Sequence, residues 1–157
     1  MRKMAQKMIA IAVAMVIVLG MASVTQMDTL AASYSFEGEA HVQTYGDRAG
    51  VYRNNTLILG TTGQAKRLEA IQIKLVRKNG ADDADLKYTT HVQTHGWLDY
   101  VVDGKQSGTT GEGKRLEAIK IDVPNTSCTG GITYSVHCQT YGWMDWVTND
   151  MQAGTTR

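Results

Sequence analysis

The longest apolar stretch of the chain lies near its start, where residues 8–24 carry no charge. A basic start precedes it at residues 2–7, and small residues follow it at positions 31–33. These are the three parts of a secretory signal peptide. We therefore expect cleavage after Ala31 or Ala32. The alternative is an uncleaved membrane anchor, because the run is nearly long enough to cross a bilayer.

Beyond this run, apolar and polar positions alternate with a period of two. Residues 88–95 alternate Tyr, Thr and Val with polar side chains, and residues 71–75 and 119–123 alternate Ile, Leu or Val with polar side chains. Such alternation in residues of high β-propensity predicts strands. Turn-rich links at residues 79–85 and 124–131 separate the strands, so no long helix is predicted.

Leu68 and Leu116 fall out of phase with the alternation that follows them. This predicts a β-bulge at residues 69–70 and at residues 117–118. The pentad RLEAI also has helical spacing, but its brevity and the preceding GTTG turn favour a strand.

Two sequence blocks recur along the chain. The first, called here the HVQ block, reads HVQTYG at residues 41–46, HVQTHG at 91–96 and HCQTYG at 137–142. The second, called the LEAI block, reads GTTGQAKRLEAIQI at residues 60–73 and GTTGEGKRLEAIKI at 108–121. Identity over so many positions indicates internal duplication.

A third LEAI block begins as GTTR at the end of the sequence. We therefore expect three repeats, at about 34–80, 81–125 and 126–157, the last of them incomplete. Without the signal peptide, residues 33–157 have the size of one domain with a real core. The predicted fold is an all-β, pseudo-threefold repeat domain resembling a β-prism or β-trefoil. It would have an exposed edge where the third repeat is incomplete.

The charge balance excludes some partners. The formal net charge is +1, and loss of Arg2, Lys3, Lys7 and Asp28 with the signal peptide would change it to −1. A nearly neutral chain lacks the basic surface that nucleic acid or an anionic membrane would attract. We also expect no stable membrane insertion after cleavage.

The chain has two cysteines, Cys128 and Cys138. In an oxidising compartment they are candidates for a disulfide, which would stabilise the fold by about 3 kcal/mol. The alternative is two buried thiols, since Cys138 occupies the position of Val42 and Val92 in the other repeats.

The pattern HVQ-x-x-GW, followed by AGTTG and KRLEAI-x-I, resembles the clostridial hydrophobic repeat with a conserved Trp, called ChW. The resemblance covers almost all of the chain after residue 33. It implies an exported protein whose repeats bind at a cell surface or to polysaccharide. Copy one departs from the pattern, because Asp47 occupies the position of Trp97 and Trp143.

The aromatic residues after the HVQ block are the candidate ligand-binding residues. One interpretation makes Trp97 and Trp143 core anchors, because burying an aromatic ring is strongly stabilising. The other makes the rings an exposed platform for stacking a sugar, with neighbouring carboxylates as acceptors for hydroxyl groups. The candidates are Trp97, Asp99, Tyr100, Trp143, Asp145 and Trp146.

The recurring charged and polar residues are assigned structural roles. We expect His41, His91 and His137 to be hydrogen-bonded and partly buried, and a metal site built from these three is the less favoured alternative. In each LEAI block, one Arg and one Glu lie two positions apart and so face the same way on a strand. The expected ion pairs between repeats involve Arg67, Glu69, Arg115 and Glu117.

Residues that recur in every copy serve the fold or a multivalent surface more readily than a catalytic site, which needs different groups at one place. We therefore expect a secreted, non-enzymatic protein without a cofactor or metal. Its expected role is adhesion through surface polysaccharide or a surface protein. The alternative is a structural or protein-interaction module of the cell envelope.

Overall fold

The computed structural model describes residues 15–19, 34–77, 85–124 and 131–156, with the backbone alone for the first of these segments. All regular elements in these segments are β-strands, which confirms the all-β class and the strand assignment of both LEAI blocks. The strands are β1 (Met15–Leu19), β2 (Tyr34–Val42), β3 (Gly46–Ala49), β4 (Val51–Arg53), β5 (Thr56–Leu59), β6 (Leu68–Arg77), β7 (Lys87–Val92), β8 (Gly96–Trp97), β9 (Val101–Val102), β10 (Ser107–Gly108), β11 (Leu116–Asp122), β12 (Ile132–Cys138), β13 (Gly142–Trp143), β14 (Val147–Thr148) and β15 (Ala153–Gly154). In these segments there is no helix that could cross a membrane.

Three sheets with matching order make up the fold. The first runs β10-β6-β2-β3, the second β15-β11-β7-β8 with β9 also on β7, and the third β4-β5-β1-β12-β13 with β14 also on β12. In each, the strand that enters the HVQ block (β2, β7 or β12) pairs with a second strand (β6, β11 or β1). That second strand pairs on its other side with a short strand from another repeat (β10, β15 or β5). The repeats therefore interlock through shared sheets, while the assignment to a β-prism or β-trefoil remains a prediction.

The apolar N-terminal run contributes β1, the strand that lies between β12 and β5 in the third sheet. Residues Met15–Leu19 pair antiparallel with β12 on one side and with β5 on the other. Ile17 lies opposite Tyr134 of β12 and opposite Leu57 of β5. The third repeat is thus completed by a segment that the sequence pattern assigns to a signal peptide, and cleavage of that segment remains a prediction.

The predicted bulges are confirmed. In the second sheet Leu116 lies opposite Val92 and Ala118 opposite His91, so Glu117 is the extra residue. The first sheet has the same register shift at Glu69. A bulge leaves the extra residue outside the regular ladder, and the Glu carbonyl is therefore free to bond elsewhere.

The backbone carbonyl of each bulge glutamate accepts a hydrogen bond from the next repeat. The backbone N–H of Thr109 donates to the Glu69 carbonyl at 3.0 Å, and that of Thr155 donates to the Glu117 carbonyl at 2.9 Å. Gly108 precedes Thr109, and a Cβ on it would lie 2.6 Å from the Cα of Ala70. The GTT sequence is therefore a docking element, in which glycine permits close approach and threonine supplies the hydrogen bond.

A buried tyrosine joins neighbouring repeats in two of the three sheets. The Tyr88 hydroxyl accepts a hydrogen bond from the Ile73 N–H at 3.0 Å and donates to the Lys105 carbonyl. The Tyr134 hydroxyl does the same with the Ile121 N–H and the Met151 carbonyl. Burial raises the pKa of Tyr88 to about 12 and that of Tyr134 further, so both hydroxyls remain protonated donors at neutral pH.

Repeat one replaces this tyrosine with Gly38. A Cβ at Gly38 would lie 3.1 Å from a methyl group of Leu57, and Leu59 packs beside it. Both leucines are fully buried. Copy one therefore fills the ring's place with two aliphatic side chains from its longer connecting segment.

Substitution of Gly108 tests the role of the GTT sequence as a docking element. Gly108→Ala should destabilise the fold by about 2–4 kcal/mol, because the new methyl group meets the backbone at Ala70 and the φ of +112° is unfavourable for an L residue. Gly111→Ala is the control, since φ is +77° there but a Cβ would have no neighbour within 4 Å. It should cost about 1 kcal/mol. Urea unfolding of both variants measures the difference, and equal losses would contradict the docking role.

Candidate binding surface

The four candidate aromatic side chains are all exposed. The exposed fraction is 37% for Trp97, 39% for Tyr100, 51% for Trp143 and 52% for Trp146. The interpretation of Trp97 and Trp143 as core anchors is therefore wrong, because the buried core consists mainly of aliphatic residues with Tyr34, Phe36, Tyr88 and Tyr134 as its aromatic members. The carboxylates of Asp99 and Asp145 lie between the aromatic positions in sequence and are exposed as well.

A tight turn places each Trp on the surface. The HVQ strand ends at Val92, and Thr94 adopts a φ of +68°, which is uncommon for a β-branched residue. The chain then reverses, so that Trp97 lies opposite His91 in the ladder. The two rings meet edge to face with their centroids 5.5 Å apart, and His137 and Trp143 form the same contact at 5.5 Å.

Repeat one has a carboxylate hydrogen-bonded to the histidine at this position. Asp47 lies opposite His41 in the ladder, and its Oδ1 lies 2.6 Å from His41 Nδ1. The backbone geometry is preserved, while an aromatic contact on the histidine is replaced by a carboxylate. The replacement of Trp by Asp47 in repeat one therefore changes the chemistry of the surface and removes no side chain from the core.

Lysine side chains cover two of the rings in repeat two. Lys120 Nζ lies 5.0 Å from the centroid of Trp97, and Lys87 Nζ lies 4.2 Å from that of Tyr100. Both distances are within the range of cation–π attraction. Lys120 belongs to β11, and the equivalent register position in the third sheet is Val16 of β1. Trp143 therefore lacks a lysine from the adjacent strand, which accords with its greater exposure.

Tyr100 also links two repeats, a role that the sequence pattern did not predict. Its hydroxyl donates a hydrogen bond to the carboxylate of Asp150 in repeat three. Partial burial, then this hydrogen bond and the negative charge of Asp150, raise the pKa of Tyr100 to about 12. The N–H of Asp150 in turn donates to the Ile121 carbonyl at 2.7 Å, which anchors the acceptor. Trp146 occupies the Tyr100 position in repeat three.

Each ion pair forms within one LEAI block and not between repeats as expected. Arg67 Nε lies 2.7 Å from Glu69 Oε1, and an Arg115 guanidinium nitrogen lies 2.7 Å from Glu117 Oε1. Both carboxylates are buried, and His91 Nδ1 also lies 3.1 Å from Glu117 Oε2. Because each arginine and glutamate lie two positions apart and face the same way, they pair with each other.

The three recurring histidines lie in three different sheets. His41 is on β2, His91 on β7 and His137 on β12. Within the described segments there is no cluster of three or more His, Cys, Asp or Glu side chains that could hold a metal ion. Cys138 is buried, and burial raises the pKa of its thiol. Cys128 lies outside the described residues, so the disulfide remains a prediction.

Two further exposed aromatics lie in the turn of the HVQ block. Tyr45 and Tyr141 occupy equivalent positions and are largely exposed. Arg48 and Lys66 lie 5.3 Å and 5.6 Å from the ring centroid of Tyr45. The sequence signal for these rings is their recurrence in TYG at residues 44–46 and 140–142.

A cleft of about 260 Å³ lies beside Gly38. Glu37, Glu39, Lys74 and Gly104 contribute to its walls, and none of the candidate aromatic residues does. The aromatic candidates therefore lie outside this cleft.

Interlocked sheets, docking GTT turns and exposed Trp residues define an all-β protein built from three copies of one repeat. The sequence model of the family ChW, Clostridial hydrophobic W, matches three times, at residues 41–77, 91–125 and 137–157. The chain belongs to the ChW family, and the predicted repeats are confirmed. No curated protein and no solved structure matches it.

Removal of one ion-pair partner tests the structural role of the buried glutamate. Arg115→Met should destabilise the fold by about 2–3 kcal/mol, because the Glu117 carboxylate would lose its guanidinium partner while remaining buried. Adding Glu117→Gln to that variant should recover part of the loss. Glu112→Gln is the control, since its pair with His95 at 2.9 Å is exposed and should contribute about 0.5 kcal/mol or less. Equal effects of Arg115→Met and Glu112→Gln in denaturant unfolding would refute this assignment.

Proposed function

We propose that this ChW protein is a secreted, non-catalytic binding module for cell-surface polysaccharide. The observation that carries the proposal is the exposure of Trp97, Tyr100, Trp143 and Trp146 in the two repeats that keep the family tryptophan. Tyr and Trp are enriched at interfaces, because each ring combines a large apolar face with a polar group.

Sugar rings suit such a surface. Their apolar C–H faces can stack on an indole or phenol ring, and their hydroxyl groups can donate to exposed carboxylates. Asp99 and Asp145 are exposed within one or two residues of these rings. Two repeats with weak sites of this kind would reinforce each other through effective concentration, without requiring a deep pocket.

The acidic residues of the repeats support a non-catalytic role. Glu69 and Glu117 are buried, but each is neutralised by an arginine at 2.7 Å and each occupies the same position in its repeat. A glycosidase needs two carboxylates with different roles at one site. These glutamates instead stabilise the bulges onto which the next repeat docks.

Removal of the two most exposed tryptophans tests the binding surface. Trp143→Ala combined with Trp146→Ala should weaken binding to isolated bacterial cell-wall polysaccharide at least tenfold, a loss of about 1.4 kcal/mol. Ring stacking of this type contributes about 1–3 kcal/mol per base on aromatic side chains, which sets the expected size by analogy. Binding is measured by sedimentation with the polysaccharide, and unfolding in urea checks that the fold is retained.

Tyr45→Ala is the matched control, because Tyr45 is a similarly exposed aromatic in the repeat without Trp. It should bind as the unchanged protein does. If the double tryptophan variant folds and binds normally, the aromatic surface is not the polysaccharide site. Binding to a surface protein, as in a protein-interaction module of the envelope, would then be the better explanation.

Export is tested by the mass of the secreted protein. Expression in a bacterial host with a standard secretion pathway should yield a product that begins after Ala31 or Ala32, because small residues at these positions suit signal peptidase. Intact-mass analysis identifies the start. A product that remains in the membrane and retains residues 8–24 would show that the run is an anchor.

A further inference from the structure

In the third sheet, the position that a LEAI strand fills in the other two sheets is filled by β1. The sequence holds three HVQ blocks and two complete LEAI blocks. The LEAI strands β6 and β11 occupy the position beside β2 and β7. Beside β12, the same position is occupied by β1 from the N-terminal apolar run.

The position is enclosed on both sides in the same way in all three sheets. Strand β6 lies between β2 and β10, β11 between β7 and β15, and β1 between β12 and β5. All of these pairings are antiparallel. With β1 removed, β12 and β5 would face each other about 10 Å apart, which is the width of one strand between two neighbours.

The register aligns β1 with a LEAI strand residue by residue. Ile121 lies opposite Tyr88 in the second sheet, and Ile17 lies opposite the equivalent Tyr134 in the third. Met15-Val16-Ile17-Val18-Leu19 thus occupies the positions of Ile-Lys-Ile-Asp-Val at residues 119–123. The apolar positions that alternate with a period of two agree between the two segments.

The intervening positions do not agree. A LEAI strand has Lys120 and Asp122 there, and Lys120 reaches the ring of Trp97. The N-terminal run has Val16 and Val18 at the same register positions. A LEAI strand is therefore the better match to a sheet whose outer face is wet and carries Trp143.

The residues of β12 and β5 on either side of this position also suit a LEAI strand. On the β12 side Ile132, Tyr134 and Val136 are buried, and on the β5 side Leu57 and Leu59 are buried. Removal of the central strand would uncover this apolar surface together with two rows of backbone N–H and C=O groups. Such a slot favours an extended peptide that pairs with both sides.

The GTT turn beside the slot provides a second match. Thr109 and Thr155 donate their N–H groups to the bulge carbonyls of β6 and β11. Thr61 has the same place in the GTT turn that follows β5. An inserted LEAI strand would bring its own bulge glutamate, whose carbonyl would face the Thr61 N–H.

We propose that the space between β12 and β5 is a binding site for a single β-strand, and that its ligand is the LEAI strand of another ChW repeat. The site becomes available when the N-terminal run is removed, so its exposure in the exported protein depends on the proposed secretion. Because β5 closes the second side, the site accepts one inserted strand and not edge-to-edge pairing with a second β12.

A synthetic peptide with the sequence of residues 114–123 tests the proposal. It should bind the exported, cleaved protein with one peptide per chain and should protect the amides of residues 132–136 from hydrogen exchange. The full chain of residues 1–157, produced without export, should bind at least tenfold more weakly, because β1 occupies the site. The control peptide replaces the residues corresponding to Ile119 and Ile121 with Asp and should also bind at least tenfold more weakly.

Folding of the cleaved protein does not limit the test. If that protein unfolds without a strand, the peptide should restore a cooperative unfolding transition. A copy of residues 114–123 appended after Thr156 through a flexible linker should raise the melting temperature above that of the same fusion carrying the Asp substitutions. Equal binding of both peptides, or equal melting of both fusions, would overturn the proposal.

The test separates this site from the polysaccharide surface. The Trp97→Ala variant, which removes a candidate polysaccharide-binding ring from the second sheet, should bind the peptide as the unchanged protein does, because Trp97 is not in the third sheet. If export does not occur, the chain beginning at residue 33 can be produced directly and the same peptide comparison made. Failure of peptide binding with intact polysaccharide binding would reject the strand site alone.

Discussion

The β-bulge of the LEAI strand is the feature on which the rest of the fold depends. By removing Glu69 and Glu117 from the ladder, it frees two backbone carbonyls for Thr109 and Thr155 of the following repeats. The glutamate at each bulge is buried and pairs with the arginine two positions before it, so that its charge is compensated at the same place. Local strand geometry, charge compensation and docking of repeats thus meet at one extra residue in the LEAI block.

Docking through the backbone leaves the surface free to vary among repeats. The turn after each HVQ strand places one side chain opposite the histidine, whether that side chain is Asp47, Trp97 or Trp143. The contact changes from a hydrogen bond at 2.6 Å to a ring contact at 5.5 Å, while the ladder is retained. A position that contributes little to the core can therefore change its side chain without loss of the fold.

Much of the fold could be predicted from local sequence. Period-two alternation identified the strands, the phase error at Leu68 and Leu116 identified the bulges, and exact repetition identified the three copies. The surface role of the tryptophans could not be predicted, because an aromatic ring after a glycine suits a core as well as a turn. Only the positive φ of Thr94 and the pairing of Trp97 with His91 decide between them. The partners of the ion pairs could not be predicted for a similar reason, because two side chains that face the same way on a strand can pair with each other or with a neighbouring repeat.

The N-terminal run illustrates a more general ambiguity. Residues 15–19 are apolar at every position, which suits both a signal peptide and a strand buried on both faces. Pairing of this run with β12 and β5 satisfies the backbone groups of two strands that would otherwise face water or aggregate. If the run is removed on export, β12 and β5 of the mature protein lack a partner strand between them. A LEAI strand suits this position better than the N-terminal run does, because it keeps Ile on the inner face and places Lys and Asp on the outer one. Two different segments would thus occupy one position in the fold, first the apolar segment that directs export and later a repeat strand. Both would pair antiparallel with β12 and β5.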